Sequence, residues 1–212
     1  MIRRRARAGL ASEREMHPTR RTLLETMVRM LDDKPAEMLT CDEVLAEAGV
    51  SRGSLYHHFQ DYPDLVEHAL VARFARQVDG SVESLTAALD TAASRDEFRE
   101  LLVELTRRAQ LPGRASRRME RIVTFAHSAN SPRLRAMLAA EQQRLTDAQA
   151  ELVAEAQGKG WVAPDLDPQA VAVLIQAYTL GRVVDDITPE PVDPAVWVAL
   201  IGRMIDRTIL TA

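Results

Sequence analysis

Apolar residues return at intervals of three and four along much of this chain. Phe98, Leu101, Leu102 and Leu105 do so, as do Val171, Leu174, Ile175 and Tyr178, and again Trp197, Leu200, Ile201, Met204, Ile205 and Thr208. This is the spacing of an amphipathic helix face. Long runs are rich in Ala, Leu, Glu, Arg and Gln, which favour helix, and β-branched clusters are few. Ser131-Pro132, Asp167-Pro168 and Asp193-Pro194 each set a capping side chain before a proline suited to the first helical position, and Ser94 to Glu97 has capping-box spacing. Gly158-Lys159-Gly160 and Thr188-Pro189-Glu190-Pro191 mark stops. The pattern predicts nine helices: Pro18–Asp32, Cys41–Ala48, Arg52–Phe59, Pro63 to about Ala88, Arg95–Ala109, Arg114–Ala126, Pro132–Gln157, Pro168–Asp185 and Pro194–Ile209. The expected fold class is all-α, with no strand and no internal repeat.

One segment, Ser51-Arg52-Gly53-Ser54-Leu55-Tyr56-His57-His58-Phe59, differs in character from the rest. The stretch before it predicts a short helix with Val44 and Ala48 one turn apart, and Gly49 permits a tight turn. Ser51 can cap the next helix, whose Leu55 and Phe59 turn inward to meet Val44, Ala48 and Val50. That is a helix-turn-helix. With Leu55 and Phe59 facing the core, Arg52, Gly53, Ser54, Tyr56 and His57 take the start or outer side of the second helix, where groove contacts are made. Arg52 can donate two hydrogen bonds to a guanine edge, Gly53 lets the backbone come close, and Ser54 can donate or accept. Tyr56 and His57 suit phosphate, as does Thr40 at the start of the first helix, where exposed amides favour an anion. On this reading the paired histidines need no metal.

Together with Ala48-Gly49-Val50 and Thr40, the segment resembles the DNA-binding signature of the tetracycline-repressor (TetR) family of transcriptional regulators, over roughly Thr19 to Leu65. The resemblance implies an all-helical homodimer, with the first three helices as a DNA-binding head and the later ones as a ligand-binding and dimerising body. The corresponding divisions are residues 1–16 as a basic arm, 17–62 as the head and 63–212 as the body. The chain departs from the family pattern at Leu45, where a small residue is common, at Pro35, where a glycine is, and at Tyr62. There the family usually has a lysine that touches phosphate, and Tyr62 would offer a neutral hydroxyl.

Charge narrows the DNA reading. The formal net charge of −4 argues against indiscriminate coating of nucleic acid, so any contact is local. The basic residues Arg3, Arg4, Arg5, Arg7, Arg14, Arg20 and Arg21 face only Glu13 and Glu15 within the first 21 residues, and the arm is a candidate to track the minor groove or backbone. Cys41 is the single cysteine and suits packing. The longest apolar stretch, Ala170 to Leu180, is interrupted by Gln176 and too short to span a bilayer, and no apolar leader core follows the arginine-rich start, so a cytoplasmic protein with no membrane partner is expected. Phosphate loops, paired-histidine metal motifs and nucleophile elbows are absent, so no catalytic residue, metal or cofactor is assigned. Asp185-Asp186 beside Arg182 could form an ion-pair or metal site, or a solvated helix end.

Between Ala170 and Val184 only Arg182 is charged, so that helix must be covered on two sides. One cover is its own body and the other a twin. Pairing with the last helix, it gives a four-helix contact across a twofold axis, with Val171, Leu174, Ile175, Tyr178, Trp197, Leu200, Ile201, Met204 and Ile205 as the expected interface. Phe98, Leu101, Leu105, Phe125 and Met137 fill a core or line a cavity, and Arg121, Thr124, His127, Gln176 and Tyr178 are polar candidates for orienting a bound molecule. The resemblance implies a small, often lipophilic effector there. The combined expectation is a ligand-responsive repressor that binds a palindromic operator as a homodimer and is released by a small molecule. A helical protein-interaction module, whose modified head no longer reads DNA, is the alternative.

Overall fold

The computed structural model describes residues 16–211; the arginines of the arm expected to follow the DNA backbone, Arg3 to Arg7, lie outside them. Nine helices account for most of the described chain: α1 Pro18–Asp33, α2 Cys41–Ala48, α3 Arg52–His58, α4 Tyr62–Thr91, α5 Arg95–Ala109, α6 Ala115–Ser128, α7 Pro132–Gly158, α8 Pro168–Gly181 and α9 Pro194–Met204. Their starts are where capping chemistry puts them. Asp167 accepts from the Ala170 amide at 2.7 Å, Asp193 from Ala195 at 2.7 Å, Ser131 from Leu134 at 3.1 Å and Ser94 from Glu97 at 3.2 Å.

Two helices end differently from the sequence expectation. The predicted Pro168–Asp185 helix breaks after Gly181, and Val183–Asp186 forms a separate short turn. The last helix ends at Met204, and Ile205–Ile209 continues as a widened turn in which the Leu210 amide reaches back to the Ile205 carbonyl at 3.0 Å. Beyond it the chain makes an isolated antiparallel bridge, Val162 with Leu210, closed by Ala163 N–H donating to the Ile209 carbonyl at 2.9 Å. No strand was expected there, because a two-residue pairing leaves no periodic trace.

The chain divides into two compact units: 16–77 with Asn130–Glu141, and Val78–Ala129 with 142–211. The division falls within α4 and α7, not at Pro63. In the first unit, Leu23, Met27, Val28 and Leu31 on α1 share a core with Val44 and Leu45 on α2, Leu55 and Phe59 beside α3, and Leu65 and Ala69 on α4. Leu45, where the family pattern favours a small residue, is part of this core.

In the second unit, Phe98 on α5 packs against Trp161 with ring centroids 5.5 Å apart, and Lys159 lies 4.8 Å from the Trp161 ring. Arg118 on α6 makes a two-pronged pair with Asp186 at 2.6 Å on each arm and donates to the Ala109 carbonyl at 2.7 Å. Asp185 instead turns to Arg182, at 3.0 Å. The two adjacent acids therefore serve separate arginines, and among the described residues no group of three or more histidine, cysteine or acidic side chains could hold a metal ion. Among the same residues no helix is long and apolar enough to cross a membrane.

The Arg118 and Asp186 side chains are only 6% and 12% exposed. Asp186→Ala would leave a buried guanidinium without its counter-charge, and urea denaturation is expected to show a loss of about 3–5 kcal/mol. A loss under about 1 kcal/mol, the size of an exposed pair, would contradict this.

Candidate nucleic-acid interface

Local hydrogen bonding fixes the two helices of the motif. At the start of α2, the Thr40 hydroxyl accepts from the Glu43 amide at 3.3 Å while the Glu43 carboxylate accepts from the Thr40 amide at 2.9 Å, a complete capping box. At its end, Gly49 takes φ 64°, and the Gly49 and Val50 amides return to the Ala46 and Leu45 carbonyls at 3.3 and 3.1 Å. This left-handed stop suits glycine and sets the turn angle. Ser51 then caps α3 by accepting from the Ser54 amide at 3.2 Å.

Leu55 and Phe59 are buried, so the opposite face of α3 is open to solvent. Arg52, Gly53, Tyr56 and His57 are exposed and Ser54 is half-buried. A Cβ placed on Gly53 would meet only the Ser51 hydroxyl, at 3.9 Å, so bare backbone faces outward. Arg52 is hydrogen-bonded to Asp42 on α2, and that bond, then the carboxylate charge, pushes the guanidinium pKa up from its usual value. The side chains of Arg52, Ser54, Tyr56 and His57 and the backbone at Gly53 share one surface.

The hydroxyls of Thr40 and Tyr62, both expected to face phosphate, are hydrogen-bonded within the protomer. The Thr40 hydroxyl donates to its own capping partner, Glu43, at 2.8 Å, and the first turn of α2 carries Asp42 and Glu43. The place where helix amides would favour an external anion is held by an internal carboxylate, whose pKa those hydrogen bonds lower. The Tyr62 hydroxyl donates to the Leu39 carbonyl at 2.8 Å. Its one proton is committed there, and burial, with smaller contributions from Cys41 and Glu43, pushes its pKa up to about 12. Tyr62 thus ties the start of α4 to the chain entering α2.

Two features escaped the sequence reading. His17, which caps α1 by accepting from the Thr19 amide at 3.2 Å, lies against His58 with ring centroids 4.6 Å apart, and His58 meets His57 at 4.9 Å. Desolvation first, then His17, His57 and Arg20, push the His58 pKa below its ordinary value. Arg133, at the start of α7, donates to Glu67 at 2.5 Å and to Gln60 at 2.9 Å and lies 3.3 Å from Asp64. Asp64 is itself buried and accepts from the Gln60 amide at 2.9 Å, at the junction of α3 and α4. Separations of 41 and 66 residues leave no local signal for either contact.

The body residues divide by where their side chains point. Val171, Ile201 and Ile205 are buried within the protomer, and Tyr178 turns in to the Thr106 hydroxyl at 3.3 Å. Ile175, Trp197 and Met204 are half-buried, while Leu174 and Leu200 are exposed. The open apolar faces are Val173 and Leu174 on α8 and Val196 and Leu200 on α9, with Val184, Ile187 and Val192 between them. Among the ligand candidates, Phe98 and Thr124 are buried, and Leu101, Leu105, Arg121, Phe125, His127 and Met137 are intermediate. Thr124 bonds its own helix at the Glu120 carbonyl, 2.8 Å away, and Gln176 joins Gln142, Thr146 and Gln149 in an amide network. Met137 belongs to the first unit and the other candidates to the second. A groove of about 620 Å³ runs along α5 and α9, lined in part by Arg99, Val103, Leu111 and Val198, and none of the ten candidates lines it.

Comparison with known proteins agrees with this architecture along its length. The family profile described as bacterial regulatory proteins of the tetR family matches residues 23–69, and that described as the C-terminal part of BetI-type transcriptional repressors matches residues 102–210. The HTH-type transcriptional regulator UidR of Escherichia coli is 23% identical over 180 residues, 79% of this chain and 81% of UidR. Salmonella enterica GusR superposes with a TM-score of 0.65 at 20% identity, covering 90% of this chain and 95% of GusR. A transcriptional regulator from Saccharomonospora viridis, solved in complex with choline, gives 0.64 at 21% identity, covering 91% and 98%.

Two outcomes test the geometry. Tyr62→Phe removes only the hydroxyl, so chemical denaturation should register a loss of about 1 kcal/mol, with no change in the salt dependence of any DNA binding. A flattened salt dependence would restore Tyr62 as a phosphate contact. For His58, a folded-state pKa below the unfolded value of about 6.5 means that the unfolded chain takes the proton first as pH falls. Stability should therefore drop as pH falls below about 7.5 and on through the folded-state pKa, and drop less in His58→Gln; equal drops would place the effect on other groups.

Proposed function

The chain belongs to the TetR family of transcriptional regulators, which are not enzymes, and on that premise we propose that it is a cytoplasmic repressor that binds a palindromic operator as a homodimer and is released by a small molecule. The observation that carries DNA reading is the exposed face of α3, with Arg52, Gly53, Ser54, Tyr56 and His57 outward while Leu55 and Phe59 anchor it from behind. Arg52 reads a base edge in the major groove, and Tyr56 and His57 hold backbone phosphates. The match to BetI-type repressors supports repression.

Dimerisation is supported by the uncovered apolar faces of α8 and α9. Val173, Leu174, Val196 and Leu200 are more than a third exposed on helices that carry few charges. A second copy covers them symmetrically, as a twofold axis requires. Two recognition helices then address successive major grooves about 34–36 Å apart.

The effector acts through that spacing. α4 and α7 each contribute to both compact units, and Arg133 ties the start of α7 to Asp64 and Glu67 on α4. A molecule bound among the body helices that shifts α4 alters the separation of the heads, and a coupling of about 1–3 kcal/mol is typical of such release. The choline complex of the Saccharomonospora viridis regulator supports a small-molecule effector.

Selection of random duplexes by the purified protein, followed by sequencing, is expected to enrich a palindrome; a folded protein that enriches none would favour the interaction-module alternative. Arg52→Ala should cost about 1–3 kcal/mol on that palindrome and relax one base position per half-site, and equal loss on all sequences would refute base reading by Arg52. Leu174→Glu and Leu200→Glu should sediment as monomers with weak operator binding, and an unchanged dimer would move the interface elsewhere.

A further inference from the structure

The ion pair between Arg52 and Asp42 joins the two helices of the motif on the surface that carries the reading residues. Neither end is free to wander. Asp42 is the second residue of α2, whose first turn is locked by the Thr40–Glu43 box, and Arg52 is the first residue of α3, capped by Ser51. Both side chains are well exposed, 54% for Arg52 and 81% for Asp42, so the pair adds little to stability. The fold does not require it.

A carboxylate at this position has an electrostatic cost for any DNA-binding surface, because it opposes the approach of phosphates. Its presence is explained if it limits what Arg52 can do. A guanidinium has five N–H donors in a planar fork. Asp42 takes one of them at Nη2 and leaves donors at Nη1 and Nε. Without Asp42 the side chain swings freely and can pair with whatever phosphate is nearest, on any sequence.

We infer that Asp42 is a specificity-determining positioning residue: it aims the Arg52 guanidinium at a base edge and withholds it from the DNA backbone. The inference rests on the DNA reading proposed above. On the right sequence, base acceptors meet the free donors while the ion pair stays intact. On a wrong one, a phosphate must displace a carboxylate already in place, so non-specific binding is weakened more than specific binding.

The test uses the full chain as wild type, Asp42→Ala, Asp42→Asn, Arg52→Ala and the Asp42→Ala/Arg52→Ala pair. Each is measured on the selected palindrome, on the same duplex with every base pair changed in turn, and on random-sequence duplex over a range of salt. With Asp42→Ala, the preference at the base pair that Arg52 reads should fall several-fold, random duplex should bind several-fold more tightly, and the salt slope should steepen by about one. Asp42→Asn keeps an acceptor and loses the charge, so it should bind random duplex more tightly yet retain the base preference. In the Arg52→Ala background, Asp42→Ala should alter no base preference. An unchanged preference in Asp42→Ala overturns the inference, as does a uniform loss on all duplexes with a lowered melting temperature. If the wild type enriches no duplex, the DNA reading itself fails and takes the inference with it.

Discussion

Burial of Leu55 and Phe59, one helical turn apart, is the constraint on which the reading surface depends. Leu55 is fully inaccessible and Phe59 nearly so. Once these two are turned into a core with Leu23, Met27 and Val44, the rotation of α3 about its axis is fixed. Arg52, Tyr56 and His57 then have no choice but to face outward. The Gly49 turn sets the angle between α2 and α3, and the caps at Thr40 and Ser51 fix where each begins, so the surface is held by the core behind it and by hydrogen bonds at its edges.

Electrostatics refine that surface by subtraction. The chain is acidic overall, and helix starts near the motif are supplied with their own carboxylates: Glu43 at α2, and Asp61 and Asp64 at α4, where Asp61 accepts from the Asp64 amide at 2.7 Å. These acids satisfy amides that would otherwise invite phosphate. In the body, charge has a different role. The Arg118–Asp186 and Arg182–Asp185 pairs are largely desolvated, and they pin the short turn after α8 to α6 and to the loop before α9, where Arg182 also bonds the Val192 carbonyl.

Much of this was legible beforehand. All nine helices start within one residue of the predicted position, and α3 starts at Arg52 as expected, because capping side chains, prolines and apolar periodicity are local signals. The outward set Arg52, Gly53, Ser54, Tyr56 and His57 followed from the same periodicity. The internal partners of Thr40 and Tyr62 were missed for a common reason: each carries a hydroxyl able to serve phosphate, but a hydroxyl has one proton, and which acceptor receives it depends on neighbours. For Thr40 that neighbour was visible three residues on, in Glu43. For Tyr62 it was the carbonyl of Leu39, 23 residues away.

The sequence by itself determined the helices, the helix-turn-helix and the face of α3 that looks outward, since each is set by interactions within a few residues along the chain. Only the tertiary structure decided the contacts between distant segments: His17 against His58, Arg133 onto Glu67, Arg118 onto Asp186, and Asp42 beside Arg52. It also decided which stripe of an almost wholly apolar helix stays open, turning Val171 inward and leaving Val173 and Leu174 to solvent. Periodicity can say that a helix is apolar on every side. Which side a neighbour covers is settled by packing, and that depends on all the elements at once.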